Sequence, residues 1–172
     1  MLRLPGFKSQ RLSDYAGTSP VFDLRRHLSG EFVSEGMIYG PTGRVVSRFV
    51  ASMYGEWQGA RGSLSEQFSY SSGGQQNRMW SLTEGNNGTI IATAPDIVGE
   101  GTGRAEGCAF QMSYRIKLSE DAGGHVLSVV DWMYLMDNGT ILNRSQMRKF
   151  GVKVAELIAT IRPATTEVRQ AS

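Results

Sequence analysis

The sequence predicts an all-β protein, an antiparallel barrel of about eight to ten strands with a short helix before it and a longer amphipathic helix after it. Three observations carry this expectation. From Glu31 to Ser145, short β-type runs are separated by turn signals at Pro41-Thr42-Gly43, Gly73-Gly74, Asn86-Asn87-Gly88, Gly123-Gly124 and Asn138-Gly139. Glycine accounts for 21 of the 172 residues, well above its usual share of about 7%, which suits turns and bulges better than a helical bundle. Two of the runs alternate cleanly between bulky and small polar positions, as half-buried strands do.

Residues 1–18 mix Gly, Ser, basic residues and isolated Leu without a period, and read as a flexible lead-in to a single domain over 19–163. Ser19 suits a cap, Pro20 a first helical turn and Asp23 its positive end, and Gly30 follows the last periodic residue. A short helix over 20–28 follows, with Val21, Leu24 and Leu28 on one stripe. In 63–70, Leu64, Glu66, Phe68 and Tyr70 share one side, and Ser63, Ser65, Gln67 and Ser69 the other. In 76–83 the bulkier and hence inward face is Arg78, Trp80 and Leu82. In 110–118, Phe110, Met112, Tyr114, Ile116 and Leu118 oppose Gln111, Ser113, Arg115 and Lys117. Phe150, Val154, Leu157, Ile158 and Ile161 then recur at helical spacing, with Lys149, Lys153, Glu156 and Thr160 opposite. They predict an amphipathic helix that packs outside the sheet and ends at Pro163. The polar residues 164–172 read as a flexible tail.

At 18.9 kDa the chain can bury a core without staples, and the single Cys108 offers no internal disulfide. Basic and acidic residues number 18 and 16, a net charge of +2, which excludes the one-sided balance of a nucleic-acid binder. No apolar run approaches the ~20 residues of a membrane span, and Met1–Gln10 has no apolar signal stretch, so a cytoplasmic location is expected. Two histidines, His27 and His125, and one cysteine make neither a metal cluster nor a Cys/His nucleophile, and no metal or other cofactor is expected. The stretch Gly99-Glu100-Gly101-Thr102-Gly103-Arg104 lacks the third glycine of a dinucleotide fingerprint, and Glu100 would repel phosphate; it reads as a turn or bulge.

The face assignments place charge inside the barrel. If 63–70 and 76–83 form a hairpin, Glu66 and Arg78 lie opposite or diagonal among aromatic residues. A two-residue turn at Asn138-Gly139 pairs Met133 with Arg144 and sets Asp131 diagonal to Arg144. Three readings follow. The pairs can be satisfied internal salt bridges that fix strand register. Alternatively Arg78 or Arg144 holds an anionic head group while Phe68, Tyr70, Trp80, Phe110, Met112 and Tyr114 line an apolar cavity. In the third reading Glu66 or Asp131, its pKa raised by an apolar site, acts as a general base.

The ordered set Phe22-Asp23-Leu24, Leu28-Ser29-Gly30, Glu66-Gln67-Phe68-Ser69-Tyr70, Arg78-Met79-Trp80, Asp131-Trp132-Met133-Tyr134-Leu135 and Phe150-Gly151 resembles the bacterial domain of unknown function DUF3833 over 21–162. The resemblance implies a calycin-like barrel related to lipocalins. Many members look like lipoproteins with an acylated N-terminal cysteine, whereas no cysteine precedes Cys108 here. By the lipocalin comparison, Gly30-Glu31-Phe32 stands at the Gly-x-Trp of the first strand, with Arg144 or Arg148 as the arginine packed across it. Arg144 would then close the barrel floor, leaving Arg78 as the ligand contact. The function expected is the binding of a small apolar or amphipathic, fatty-acyl-like molecule without catalysis. A small lipid-modifying isomerase or hydrolase using Glu66 or Asp131, and an interaction protein with a filled barrel, are the alternatives.

Overall fold

Ten antiparallel strands close into a barrel in the computed structural model, which describes residues 5–164. They are β1 (Gly30–Tyr39), β2 (Val45–Gln58), β3 (Arg61–Tyr70), β4 (Gln75–Glu84), β5 (Thr89–Thr93), β6 (Gly101–Glu106), β7 (Ala109–Lys117), β8 (Val126–Leu135), β9 (Ile141–Lys149) and β10 (Val152–Pro163). Each pairs with its neighbour in sequence, and β1 pairs with β10 to complete the ring. Closure gives every strand a neighbour on each side, which removes most of the template for edge-to-edge association, although Gln75–Trp80 of β4 extend beyond the ladder with the short β5. The polar tail residues 165–172 lie outside the described residues.

The C-terminal amphipathic helix is not formed; the same residues are β10. Leu157, Ala159 and Ile161 point into the barrel, Ile158 is on the outside opposite Met37 of β1, and Phe150 is 95% exposed in the turn before it. The helical spacing was produced by a β-bulge at Val154, where the register to β9 shifts between Lys153 and Ala155 and changes the phase of the alternation. Val152, Val154, Ile158, Thr160 and Ile161 favour a pleated, half-buried surface. The open edges of β1 and β9 supply hydrogen-bond partners along nearly the whole segment.

The short helix is also reduced, to α1 (Leu24–His27), and it is capped by the Asp23 carboxylate accepting from the Arg26 N–H rather than by Ser19. Phe22, Leu24 and Leu28 are buried, whereas Val21 of the expected stripe is exposed. Residues 20–22 instead run alongside the β6–β7 turn, where the Phe22 N–H donates to the Gly107 carbonyl at 2.8 Å. Together these side chains floor one end of the barrel. A close approach seats the floor: a Cβ at Gly55 of β2 would collide with the Leu28 backbone carbonyl, which accepts the Trp57 Nε1–H at 3.2 Å.

The stretch read as a lead-in carries single 3-10 turns at Phe7–Ser9 and Leu12–Tyr15. Tyr15 lies over Trp132 and Tyr134, with ring centroids 5.6 Å and 5.5 Å away. Because Asp131 and Met133 face inward, Trp132 points out of the barrel, and this covering leaves it 1% exposed. No helix among the described residues is long and apolar enough to cross a membrane.

One hairpin turn differs from the one expected, and another hairpin turn stands where the helix was expected to begin. At Asn138-Gly139 only the glycine has positive φ, at 83°. Beyond the pair Leu135–Ile141 the Met136 N–H donates to the Thr140 carbonyl at 2.8 Å, which closes a three-residue loop, Asp137–Gly139, instead of the two-residue turn expected. The two-residue turn with both φ values positive occurs at Phe150-Gly151, between paired Lys149 and Val152.

Candidate functional site

The inward faces of 63–70, 76–83 and 110–118, with those of β1, β2, β8, β9 and β10, enclose a cavity of ≈ 690 Å³, within the ~300–1,000 Å³ range of small-molecule sites. Leu24 and Leu28 lie at its floor. At the other end its wall reaches exposed residues of the β3–β4 and β7–β8 turns, Gly74–Gln76 and Ser119 with Ala122, where the cavity opens. Of the residues expected at the site, Glu66, Phe68, Tyr70, Arg78, Trp80, Phe110, Met112 and Tyr114 all line this space. Small residues make room for the rings: a Cβ at Gly103 would strike the Phe110 ring, and one at Gly36 the Phe49 ring.

Arg144 is outside. The three-residue loop shifts the β8–β9 pairing by one residue, so Trp132 faces Arg144 and Met133 faces Asn143. With a side-chain period of two, that single step turns Arg144 to the outer surface. There its Nε donates to Glu156 at 2.6 Å, and its guanidinium sits over Phe7, 5.2 Å from the ring centre. Arg148 has the same parity along β9 as Arg144, and it donates to the Gly151 carbonyl and to Gln146.

The same shift brings Asn143 and Ser145 inward, and they satisfy Asp131 in place of an arginine. The Ser145 hydroxyl donates to Asp131 Oδ1 at 2.7 Å, and Asn143 Nδ2 donates to the same oxygen and to the Trp132 carbonyl. Burial raises the Asp131 pKa to about 6, although these two hydrogen bonds and Arg78 oppose the rise.

Glu66 and Arg78 are directly opposite in register, yet the guanidinium donates to a third residue, Asp96. Asp96 sits between β5 and β6. Its segment is held against β7 by backbone bonds from the Lys117 N–H to the Asp96 carbonyl and from the Val98 N–H to the Arg115 carbonyl. This anchoring aims the Asp96 side chain into the barrel. Arg78 also lies over the Trp80 ring at 5.4 Å. Glu66 is left with Oε2 buried and unpartnered, and burial pushes its pKa up to about 7 against the attraction of Arg78, with Asp131 adding to the rise. Arg78 Nε and Asp96 Oδ1 are likewise buried without a partner. Desolvation also drives the Tyr114 hydroxyl well above its ordinary pKa, which keeps it neutral.

Sequence reading missed Asp96, Asn143 and Ser145. The last two were recoverable from alternation along β9, had the turn length been right. Asp96 follows Pro95 in a segment with the composition of a loop, and nothing local marks it as facing Arg78. Among the described residues, no group of three or more His, Cys, Asp or Glu side chains is arranged to hold a metal ion.

The family described as "Protein of unknown function (DUF3833)" matches residues 1–163. No curated protein matches the chain. Among solved structures, the S-type phycobiliprotein lyase CPES from Guillardia theta is similar over 84% of this chain and 92% of its own, with a TM-score of 0.59 at 6% identity. Rv2717c from M. tuberculosis is similar over 86% and 99%, with a TM-score of 0.60 at 15% identity. A protein of unknown function from the DUF3598 family of Nostoc punctiforme is similar over 87% of this chain and 53% of its own, with a TM-score of 0.59 at 13% identity. At these identities the likeness is one of fold.

Proposed function

The chain belongs to the DUF3833 family of proteins of unknown function, and on that premise we propose that its barrel binds a small apolar or amphipathic molecule, of fatty-acyl type, without changing it chemically. The observation that supports this reading is the cavity itself. A barrel of this size could be filled by its own side chains, but here ≈ 690 Å³ stays open above Leu24 and Leu28, behind a wall of Phe68, Trp80, Phe110 and Met112. Such a wall suits an alkyl chain, with the polar residues around Arg78 meeting its head. A similar barrel serves a lyase of phycobiliproteins, which adds an analogy of fold and not of residues.

Trp80 lies in the wall, so titration with decanol followed by tryptophan fluorescence tests the reading. Saturable binding of one molecule per chain is expected, and Arg144→Ala, which alters only the outer surface, should bind equally well. Absence of saturable binding would refute it.

The free, buried Oε2 of Glu66 favours a second reading, a general base with its pKa raised to about 7. In that case a long-chain ketone bound in the cavity should exchange its α-hydrogens with D2O, and Glu66→Gln should abolish the exchange.

A further inference from the structure

We infer that the polar girdle at mid-barrel is built for a cation: the molecule bound is an amphiphile bearing a protonated amine, its nitrogen held between Glu66 and Asp96. This inference rests on the ligand-binding reading above and names the head group that reading leaves open.

Charge is the first observation. Among the described residues, three carboxylates, Glu66, Asp96 and Asp131, face the cavity, and Arg78 is the single cation at their level; Lys117 lies at the mouth, where it pairs with Glu120 at 3.7 Å. When all are ionised, the girdle carries an excess of two negative charges. A carboxylate ligand would enter that field and find Arg78 already neutralised by Asp96. Burying a further anion there would cost several kcal/mol without a free partner.

Hydrogen-bonding capacity is the second and independent observation. Glu66 is more than nine-tenths buried, lines the cavity and has Oε2 unpartnered, and Asp96 Oδ1 is unpartnered as well. Among the buried side-chain atoms of the described residues, two carboxylate oxygens beside Arg78 lack a partner, against one donor, Arg78 Nε. An ammonium group has three N–H donors and no acceptor, which matches the unused acceptors. An alcohol could satisfy one of them and brings no charge. The amine's desolvation is offset by the carboxylates that surround it, as a buried charge requires.

The remaining geometry accommodates the chain. Met53, Glu66 and Arg78 are register partners across β2, β3 and β4, and Met112, Asp131 and Ser145 across β7, β8 and β9, so the girdle lies midway along the strands. Phe68, Leu157 and Leu118 continue from it toward the mouth as an apolar wall.

Decylamine, decanol and decanoate share one chain and differ in charge, so their affinities measured at pH 7.5 by calorimetry isolate the head group. The amine should bind at least about tenfold more tightly than the alcohol, a difference of about 1.4 kcal/mol, and decanoate more weakly than either. Glu66→Gln should bring the amine to within about threefold of the alcohol measured on the same variant. Asp96→Asn should do the same, and near-UV circular dichroism reports that each variant is folded. Decanoate binding as tightly as the amine, or an amine preference that survives both substitutions, overturns the inference. Alcohol binding without any amine preference overturns it alone, whereas no binding of any of the three overturns the ligand-binding reading as well.

Discussion

Replacing Glu66 by Gln should change how stability depends on pH. The substitution keeps the shape of the side chain and removes a carboxyl whose pKa is pushed to about 7 by burial, against an ordinary value of 4.5. A difference of that size corresponds to about 3 kcal/mol of preference for the protonated form in the folded state. Because the folded pKa is the higher one, the folded protein holds more protons than the unfolded chain between pH ~4.5 and ~7. Stability from this group is therefore fully present below pH ~4.5, falls as pH rises through that window and levels off above it. Asp131, raised to about 6 by burial, acts in the same sense over a slightly lower range. Glu35, held low by its hydrogen bond from Arg162, acts in the opposite sense and only in more acidic solution. Glu156 does so too, because its pairs with Arg144 and Lys153 outweigh the upward push of burial. The difference between variant and parent isolates Glu66 from all of these. Urea unfolding at pH 5, 6, 7 and 8 should show the Gln variant gaining on the parent by on the order of 2–3 kcal/mol across the series. Parallel stability curves would refute the reasoning, since they would mean that Glu66 is solvated or fully partnered in the folded barrel.

Gly139→Val should destabilise by about 1–3 kcal/mol, because a β-branched residue is strained at positive φ and Gly139 has φ 83°; denaturant melts that coincide with the parent's would count against this. Arg78→Met should cost about 3 kcal/mol by stranding a buried carboxylate, and adding Asp96→Leu should recover more of the loss than adding Glu66→Leu does. A double-mutant cycle in which Glu66 shows the larger coupling would overturn the assignment of Asp96 as the partner of Arg78.

Several features were already determined by the sequence. Alternation along 63–70, 76–83 and 110–118 placed Glu66, Arg78 and the aromatic wall on the inward face, because in a strand the direction of each side chain follows from its parity alone. Frequent turn signals and abundant glycine implied a barrel of short antiparallel strands for the same local reason. The tertiary structure decided what depends on count or on distant partners. One extra residue in the loop at Asp137–Gly139 turned Arg144 outward and brought Asn143 and Ser145 to Asp131, since a one-residue slip moves every side chain of a strand to its other face. A bulge at Val154 imitated helical spacing, and the vacant edges of β1 and β9 settled that segment as a strand. Asp96 reaches Arg78 only because backbone pairing with β7 holds its loop over the cavity. These contacts join residues distant along the chain, and their free energy exists only once the barrel has closed.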